Sequence, residues 1–345
     1  MRQDGRVAQS WGSVRFRYIL WRIAGFSPRA LLRRARAISK QHGRAVLPVL
    51  VDMLWSATFK DINFQDYEDW DFAILTKEER LTYITNAISN HVALTRNEKP
   101  YQPLFHDKIQ FNRRFHELLG RDWLEVEKSS VDEIRAFVER HGRVMGKVPV
   151  STSGKGVTRY AVTEIEDWDA FRARLLERGE ILLEQYIENQ HPVLAEVCPT
   201  TVNTTRVTTY FDGETMTIIS IAQKFGRGQA SDQQPFGGFF TLIDEQSKSW
   251  GPGYGSHQHI YAEHPDSGVS IVDFVMPERD ALVAFLEKAV RVVPQIRYVG
   301  WDVVLTTDGW IMLEGNWTPG AYENKVSATG IRTGTLPILR AAVGF

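Results

Sequence analysis

The chain has 345 residues, 43% of them hydrophobic and 24% charged, an ordinary globular composition with length enough for two or three packed subdomains. Its formal net charge of −1 supplies no global attraction to a polyanion, so no nucleic-acid partner is expected. A single cysteine, Cys198, excludes a disulfide framework within the chain; beside Pro199 it reads as a small buried residue and not as a catalytic thiol.

The neutral balance hides an uneven distribution. Up to residue 44 the chain carries Arg2, Arg6, Arg15, Arg17, Arg22, Arg29, Arg33, Arg34, Arg36, Lys40 and Arg44 against one acid, Asp4. Trp11, Phe16, Tyr18, Ile19, Leu20, Trp21 and Ile23 interleave with these cations, a mixture that suits an anionic membrane surface, an acidic partner, or an arm packed on the rest of the protein. Residues 27–105 read as mostly helical. Ser27-Pro28 places an N-cap and a first-turn proline ahead of a helix over 29–41, with Gly43 beyond it. Further helices are expected over 52–59 and 77–91, the second announced by Thr76 before Lys77-Glu78-Glu79. The acidic, aromatic stretch 61–71 between them reads as irregular, and 97–100 as a boundary.

From residue 105 the texture changes. A short helix over 108–119 ends at Gly120, and a strand at 143–150 leads through the loop 151–156 into a strand at 157–163. A helix at 168–178 ends at Gly179 and is followed by a strand at 181–186. After His191-Pro192 come strands at 201–211 and 215–224, a glycine- and polar-rich stretch at 226–238, an amphipathic helix at 277–293 and a hairpin at 299–316. This is α+β order, with strands pairing mainly to near neighbours. No apolar run reaches the length of a membrane span, and the N-terminus lacks the apolar core of a signal peptide, so a cytoplasmic protein is expected.

The hairpin carries the chemistry. Two apolar runs flank Thr307-Asp308-Gly309, which reads as a three-residue loop with glycine at its last, left-handed position. That register pairs Thr306 with Trp310, Val304 with Met312, and Asp302 with Glu314, placing the two acids' Cβ atoms about 5 Å apart. Facing carboxylates repel unless positive charge lies between them. Asn316 adds a neutral oxygen on the same face, and the set suits Mg²⁺ with phosphate oxygens completing its shell. A surface hairpin with scattered acids is the competing reading; the apolar neighbours of Glu314 argue against it.

Gly300-Trp301-Asp302 followed by Leu313-Glu314-Gly315-Asn316-Trp317-Thr318-Pro319-Gly320 resembles the terminal metal-binding signature of ATP-grasp enzymes. It is similar to that of D-alanine–D-alanine ligases in having an acid, an asparagine and then Pro-Gly. With Thr201-Val202-Asn203-Thr204-Thr205-Arg206 and Phe236-Gly237-Gly238, the hairpin resembles the ATP-grasp group described as sugar-transfer associated or alpha-L-glutamate ligase-related, over roughly residues 50–340. The resemblance implies an ATP-grasp fold, two α+β subdomains clamping ATP, behind a mostly helical N-terminal region. The domains it implies are 1–104 (basic arm and helical region), 105–188 (small, lid subdomain) and 189–345 (large subdomain with the metal site).

Residue by residue, the resemblance implies that Asp302, Glu314 and Asn316 hold one or two Mg²⁺ ions. It makes 181–187 the hinge strand, where the main chain around Glu184, Tyr186 and Ile187 reads adenine. Glu188 takes the ribose, with His191 at the spacing some ligases use. Lys147 and Lys108 contact phosphates, and Ser153 and Gly154 lie in a loop that closes over them. Several ligases carry an arginine where this chain has Gly300; Arg206 or Lys224 is expected to supply that charge. The function implied is a Mg²⁺-dependent ligase that uses ATP to join a small-molecule carboxylate to an amine through an acyl phosphate, in glycan or natural-product assembly. Residues 151–156 and 226–240 are candidate lids, and Tyr322, Asn324 and Lys325 border the acceptor pocket. Two alternatives stand beside it: a phosphotransferase acting on a sugar or other hydroxyl, and a non-catalytic nucleotide-binding module docked on a membrane or glycosyltransferase complex through the basic N-terminal arm; residues 1–44 are the expected contact with the inner membrane surface or a partner protein.

Overall fold

The computed structural model describes residues 27–60, 62–151, 156–255 and 259–344. They divide into two compact units, one ending at Thr76 and one starting at Lys77. In the first unit, helix α1 (Pro28–His42) starts as its sequence requires: the Ser27 hydroxyl accepts from the Ala30 N–H at 3.3 Å, and left-handed Gly43 closes the helix. Helix α2 (Val46–Phe59) begins six residues before the expected start, and buries Val49, Met53 and Ser56. The stretch expected to be irregular holds helix α3 (Phe64–Asp69), because the Asn63 side chain accepts from the Asp66 N–H at 2.8 Å and nucleates a turn. Within this unit Tyr67 donates to Asp52 at 2.6 Å and Arg34 pairs with Glu68 at 2.6 Å.

In the second unit the helix expected over 77–91 is split. A single turn, Lys77–Arg80, stops short, and α4 (Asn86–Arg96) restarts behind Thr85, whose hydroxyl accepts from the Ile88 N–H at 3.3 Å. Helix α5 (Lys108–Arg114) also ends earlier than expected and gives way to a 3₁₀ turn, His116–Leu118. There Phe105, Phe111 and Phe115 cluster against Trp301.

Strands β1 (Trp123–Glu125), β2 (Arg143–Lys147), β3 (Val157–Ala161) and β4 (Leu182–Gln185) form an antiparallel sheet of order β1-β4-β2-β3. Helices α6 (Val131–His141) and α7 (Trp168–Glu177) cover one face, packing Ile134, Phe137, Val138, Phe171 and Leu175 on Val144, Tyr160 and Leu183. Helix α6 rests on a capping box between Ser130 and Glu133. Met145, Lys147 and Glu184 belong to the other face, where Met145 pairs with Glu184.

After α8 (Pro192–Val197) come β5 (Thr205–Phe211), β6 (Met216–Phe225), β7 (Phe239–Leu242), β8 (Gly253–Gly255), β9 (Ile260–Tyr261), β10 (Tyr298–Thr306) and β11 (Gly309–Asn316). They make a second antiparallel sheet of order β11-β10-β5-β6-β7-β8-β9, so the expected α+β class is observed. Helix α9 (Arg279–Val292) lays Leu282, Leu286 and Val290 on Val207, Phe211, Val299 and Trp301. On the opposite face α4 and α10 (Leu336–Val343) cover Tyr210, Ile219 and Tyr298. Arg206, Lys224 and Asp302 share that face by the period-two alternation, farther along the strands. Asn203, in the Thr201–Arg206 stretch, ties this region together. Its side chain donates to the carbonyls of Leu194 and Cys198 at 2.9 and 3.0 Å and accepts from the Gly226 N–H at 3.0 Å.

The hairpin departs from the expected register at its turn and regains it at the acids. Thr306 pairs with Gly309, leaving a two-residue connection, and Val303 pairs with Met312. The Thr306 hydroxyl organises this tighter turn, accepting from the Asp308 N–H at 3.2 Å and donating to the Gly309 carbonyl at 2.8 Å. A bulge between Asp302 and Val303 makes Leu313 the extra residue, so that Asp302 still faces Glu314 and Asn316 faces Gly300.

One buried acid gives this unit a pH dependence. Glu323 accepts from the Ile84 N–H at 2.7 Å and the Thr335 hydroxyl at 2.8 Å; burial nevertheless pushes its carboxyl up to about 7, from an ordinary 4.5. Between those values the folded chain binds a proton that the unfolded chain has lost. The stabilisation from this group is therefore complete below pH 4.5 and disappears as pH rises through about 7. Urea denaturation over that interval is expected to lose on the order of 3 kcal/mol from this source. The Glu323→Gln variant should flatten the slope, and an unchanged profile in that variant would assign the titration to another group.

Candidate functional site

The free face of the first sheet and one end of the second border a cleft. Its charged lining residues are Lys108, Arg121, Lys147, Lys224, Glu184, Asp232, Asp302 and Glu314.

Asp302 sits on β10 directly opposite Arg206 on β5. Arg206 grips it through Nε at 2.8 Å and Nη2 at 2.6 Å, and Lys224 from β6 donates to Oδ1 at 2.9 Å. All three side chains are buried. Burial alone would push the Asp302 carboxyl up, but Arg206 and Lys224 hold it well below the usual carboxylate range. The same acid raises both cations against their own desolvation, so all three stay charged. The Tyr322 ring lies beside them, its centroid 5.5 Å from Arg206 Cζ and 5.9 Å from Lys224 Nζ. Gly300 makes the room: a Cβ there would stand 2.8 Å from Pro319 Cβ and 3.1 Å from Arg206 Nη1. The Arg206 guanidinium thus lies against the position where the resemblance leads one to look for an arginine.

A second buried carboxylate, Glu184 on β4, faces the cleft from the first sheet. Arg121 binds it through Nε at 3.0 Å and Nη2 at 2.9 Å, Asn112 donates at 2.8 Å, and Lys147 completes the group. Burial opposes the charge of Glu184, and Arg121 and Lys147 more than reverse that effect, so its pKa is lowered. Arg121 also donates to the Met312 and Leu313 carbonyls, the second at 3.2 Å. Those lie at the bulge, where the strand ladder is interrupted. One arginine therefore satisfies the bulge and joins it to the first sheet's carboxylate.

Arg121, Asn112 and Asp232 escape sequence reasoning. Arg121 follows Gly120, whose positive φ of 55 and close approach to Ile311 (a Cβ would stand 2.2 Å from Cγ2) leave no signal beyond a helix-ending glycine. Asp232, in the polar stretch 226–238, accepts from the Thr204 N–H at 2.7 Å and fastens that stretch to β5; burial raises its pKa.

Glu314 and Asn316 lie beside Asp302. The Asn316 amide nitrogen is placed between the two carboxylates, 3.4 Å from Asp302 Oδ2 and 3.3 Å from Glu314 Oε1. A donor bridging two carboxylates stands where a cation would, so the donor set fits a divalent ion if the amide turns its oxygen inward. The fit is incomplete without an anionic ligand. Asp302 Oδ1 already accepts from two cations, and among the described residues no group of three or more His, Cys, Asp or Glu is arranged to hold a metal. Lys108 donates to the Ser151 carbonyl at 2.8 Å and lies 3.9 Å from Glu314. Burial lowers its pKa despite Glu314, so an arriving anion would relieve an under-compensated ammonium.

The other expected site residues fall as follows. Tyr186 and Ile187 line the cleft, whereas Glu188 lines a neighbouring recess and pairs with Arg143 at 2.7 Å. His191 caps α8 and is taken up by that role. Ser153 and Gly154 lie outside the described residues. Of the three residues expected to border an acceptor pocket, only Tyr322 lies by the cationic pair. Asn324 is buried, donating to the Ile331 carbonyl at 2.6 Å, and Lys325 is buried as well.

Residues 176–334 match the family model described as sugar-transfer associated ATP-grasp. No curated protein matches the chain. Among solved structures it is similar to D-alanyl-alanine synthetase A from Vibrio cholerae O1 biovar eltor str. N16961, at 15% identity and a TM-score of 0.40, over 69% of this chain and 61% of that one. It is also similar to D-alanine–D-alanine ligase from Bacillus anthracis, at 12% identity and a TM-score of 0.41, over 74% of each chain. A third is the ATP-grasp ligase PsnB in complex with precursor peptide PsnA2 and AMPPNP, at 12% identity and a TM-score of 0.42, over 80% of this chain and 72% of that one. These likenesses are distant. The family match takes in Glu184, Arg206, Lys224, Asp302, Glu314 and Asn316, and leaves Lys108, Arg121 and Lys147 outside it. The stretch that resembles the sugar-transfer associated ATP-grasp model, residues 176–334, is somewhat under half of the chain.

Proposed function

We propose that the protein is a Mg²⁺-dependent ligase that uses ATP to join a carboxylate to an amine through an acyl phosphate. The observation that carries this reading is Asp302, held ionised between Arg206 and Lys224 and paired with Glu314 on the neighbouring strand, both lining one cleft. The cleft is lined by four cationic side chains and four acids, with Arg206 behind Asp302. Cations standing among the acids suit a metal that arrives with phosphate oxygens better than a bare metal ion.

Mg²⁺ carried on the nucleotide would be held by Asp302, Glu314 and Asn316 and would neutralise phosphate charge. Lys108 and Lys147 would hold phosphate oxygens, and the main chain at 184–187 would read the base. Arg206 and Lys224 would compensate charge on the transferred group, with Tyr322 beside them. Asp302 has no proton to give and little capacity to accept one, so its work is electrostatic. The stretch 226–238, fastened at Asp232, limits water entry from that side.

Calorimetric titration with AMPPNP tests the reading. Binding that requires Mg²⁺ is expected in the wild type and should lose that requirement in Glu314→Gln. Turnover in the variant should fall about 100-fold or more. Glu314 is the better probe because its side chain is 37% exposed, so the variant should keep the wild-type melting temperature. Asp302→Asn would strand two buried cations at a cost of about 3–5 kcal/mol. No binding to the wild type, or full turnover in Glu314→Gln, would remove the proposal. Phosphate release should need carboxylate and amine together; a stable phosphorylated product with a hydroxyl acceptor would indicate phosphotransfer.

Titrating Mg²⁺ alone is expected to give no saturable heat, because Arg206 and Lys224 already occupy Asp302. Tight metal binding without nucleotide would contradict the charge argument.

A further inference from the structure

The helix α2 is apolar on two sides. Its inner side buries Val49 and Met53, while its outer side presents Leu47, Val51, Leu54, Trp55 and Phe59 at 68%, 57%, 38%, 57% and 54% exposure. These five follow the i, i+4, i+7, i+8, i+12 spacing of a single stripe, which runs the length of a 14-residue helix, about 20 Å. Trp55 and Phe59 lie against each other, ring centroids 4.3 Å apart, at one end of it. The helix's one charged side chain, Asp52, is drawn inward to the Tyr67 hydroxyl. A continuous apolar stripe of this length left open to water marks a surface with a partner.

The flanking charge says what kind. Over the two helices, between residues 27 and 60, the sequence has seven Lys and Arg (Arg29, Arg33, Arg34, Arg36, Lys40, Arg44, Lys60) against Asp52, the unit's later acids falling at 61–71. Arg34 pairs with Glu68, but Arg29, Arg33, Arg36 and Lys40 follow i, i+4, i+7, i+11 along the exposed side of α1 and carry no ion pair among the described residues. Helix α1 has no acid at all. A second copy of this chain would bring another such set of cations up to the first. Residues 1–26 would do the same, since they hold Arg2, Arg6, Arg15, Arg17 and Arg22 against Asp4. Like charge therefore disfavours both as covers for the stripe, and an extended anionic surface with an apolar interior satisfies stripe and cations together.

We propose that this unit docks on an anionic lipid surface, seating Leu47, Val51, Leu54, Trp55 and Phe59 among the acyl chains with the α1 cations at the headgroups. The docking is independent of the reaction assigned to the cleft. It tethers the protein without spanning the bilayer, in keeping with the absence among the described residues of any helix long and apolar enough to cross one.

The test is co-sedimentation of the full chain with vesicles of equimolar phosphatidylcholine and phosphatidylglycerol, against vesicles of phosphatidylcholine alone. Binding is expected only to the anionic vesicles and should weaken as salt is raised. The double variants Trp55→Ser/Phe59→Ser and Arg33→Glu/Arg36→Glu should each lower the partition about tenfold while keeping the wild-type melting temperature, because all four positions are exposed. Failure of the wild type to bind anionic vesicles overturns the proposal, and capture of an acidic protein in that case would assign the stripe to a protein partner. Two further results overturn it. One is a wild-type dimer that the Trp55→Ser/Phe59→Ser change dissolves with no effect on vesicle binding. The other is binding that deletion of residues 1–26 abolishes and neither double variant affects.

Discussion

Everything in the cleft depends on keeping the Asp302 carboxylate ionised in a buried position. Desolvation by itself would protonate it, and a protonated acid opposite Glu314 would offer neither charge nor ligand capacity. Two cations on two neighbouring strands prevent this: a bidentate arginine directly across the ladder and a lysine one strand further. Neither cation would be tolerated at that depth without the acid, so the three residues stand or fall as a unit. Gly300 belongs to the same arrangement, since a side chain there would collide with Pro319 and crowd the guanidinium that makes the grip.

The first sheet repeats the device. Glu184 is buried between Arg121 and Lys147, as Asp302 is between Arg206 and Lys224. Each buried acid is thus held by two cations, and Lys108, whose pKa is lowered by burial, stands beside them at the cleft. Arg121 connects the two halves physically. The bulge that restores the Asp302–Glu314 pairing frees backbone carbonyls, and the arginine that neutralises Glu184 is the group that satisfies them. Register in one sheet and charge compensation in the other are consequently one problem with one solution.

The unit ending at Thr76 follows a different logic. Its helices bury one modest apolar face and leave another in water, and most of the cations of α1 carry no ion pair among the described residues. The charge cluster in the cleft is closed on itself, whereas of the Arg and Lys side chains of α1 only Arg34 has an acid partner among the described residues. The two surfaces therefore call for different partners: a small polyanion in one case and a broad anionic face in the other.

How much of this was legible in the sequence follows from what is local. The cap at Ser27, the β-branched strands, the two-strand hairpin and the face shared by Asp302, Glu314 and Asn316 are consequences of neighbours a few residues apart, and the residue order states them. The pairing of the two acids survived a misread turn: the tight connection at Thr307-Asp308 removes one residue from the loop, and the bulge at Leu313 returns it. The short helix at 64–69 was hidden because acidic and aromatic composition outweighed a single capping asparagine. Arg206 and Lys224 were visible as cations in β-rich strands, but their joint grip on Asp302 spans 96 and 78 positions. Arg121 meets Glu184 over 63 positions, and Asp232 meets Thr204 over 28. By itself the sequence determined which residue types line each strand and on which side they stand. Only the tertiary structure decided which cation answers which acid, because that choice depends on strands brought together from distant parts of the chain and on burial that no local pattern encodes.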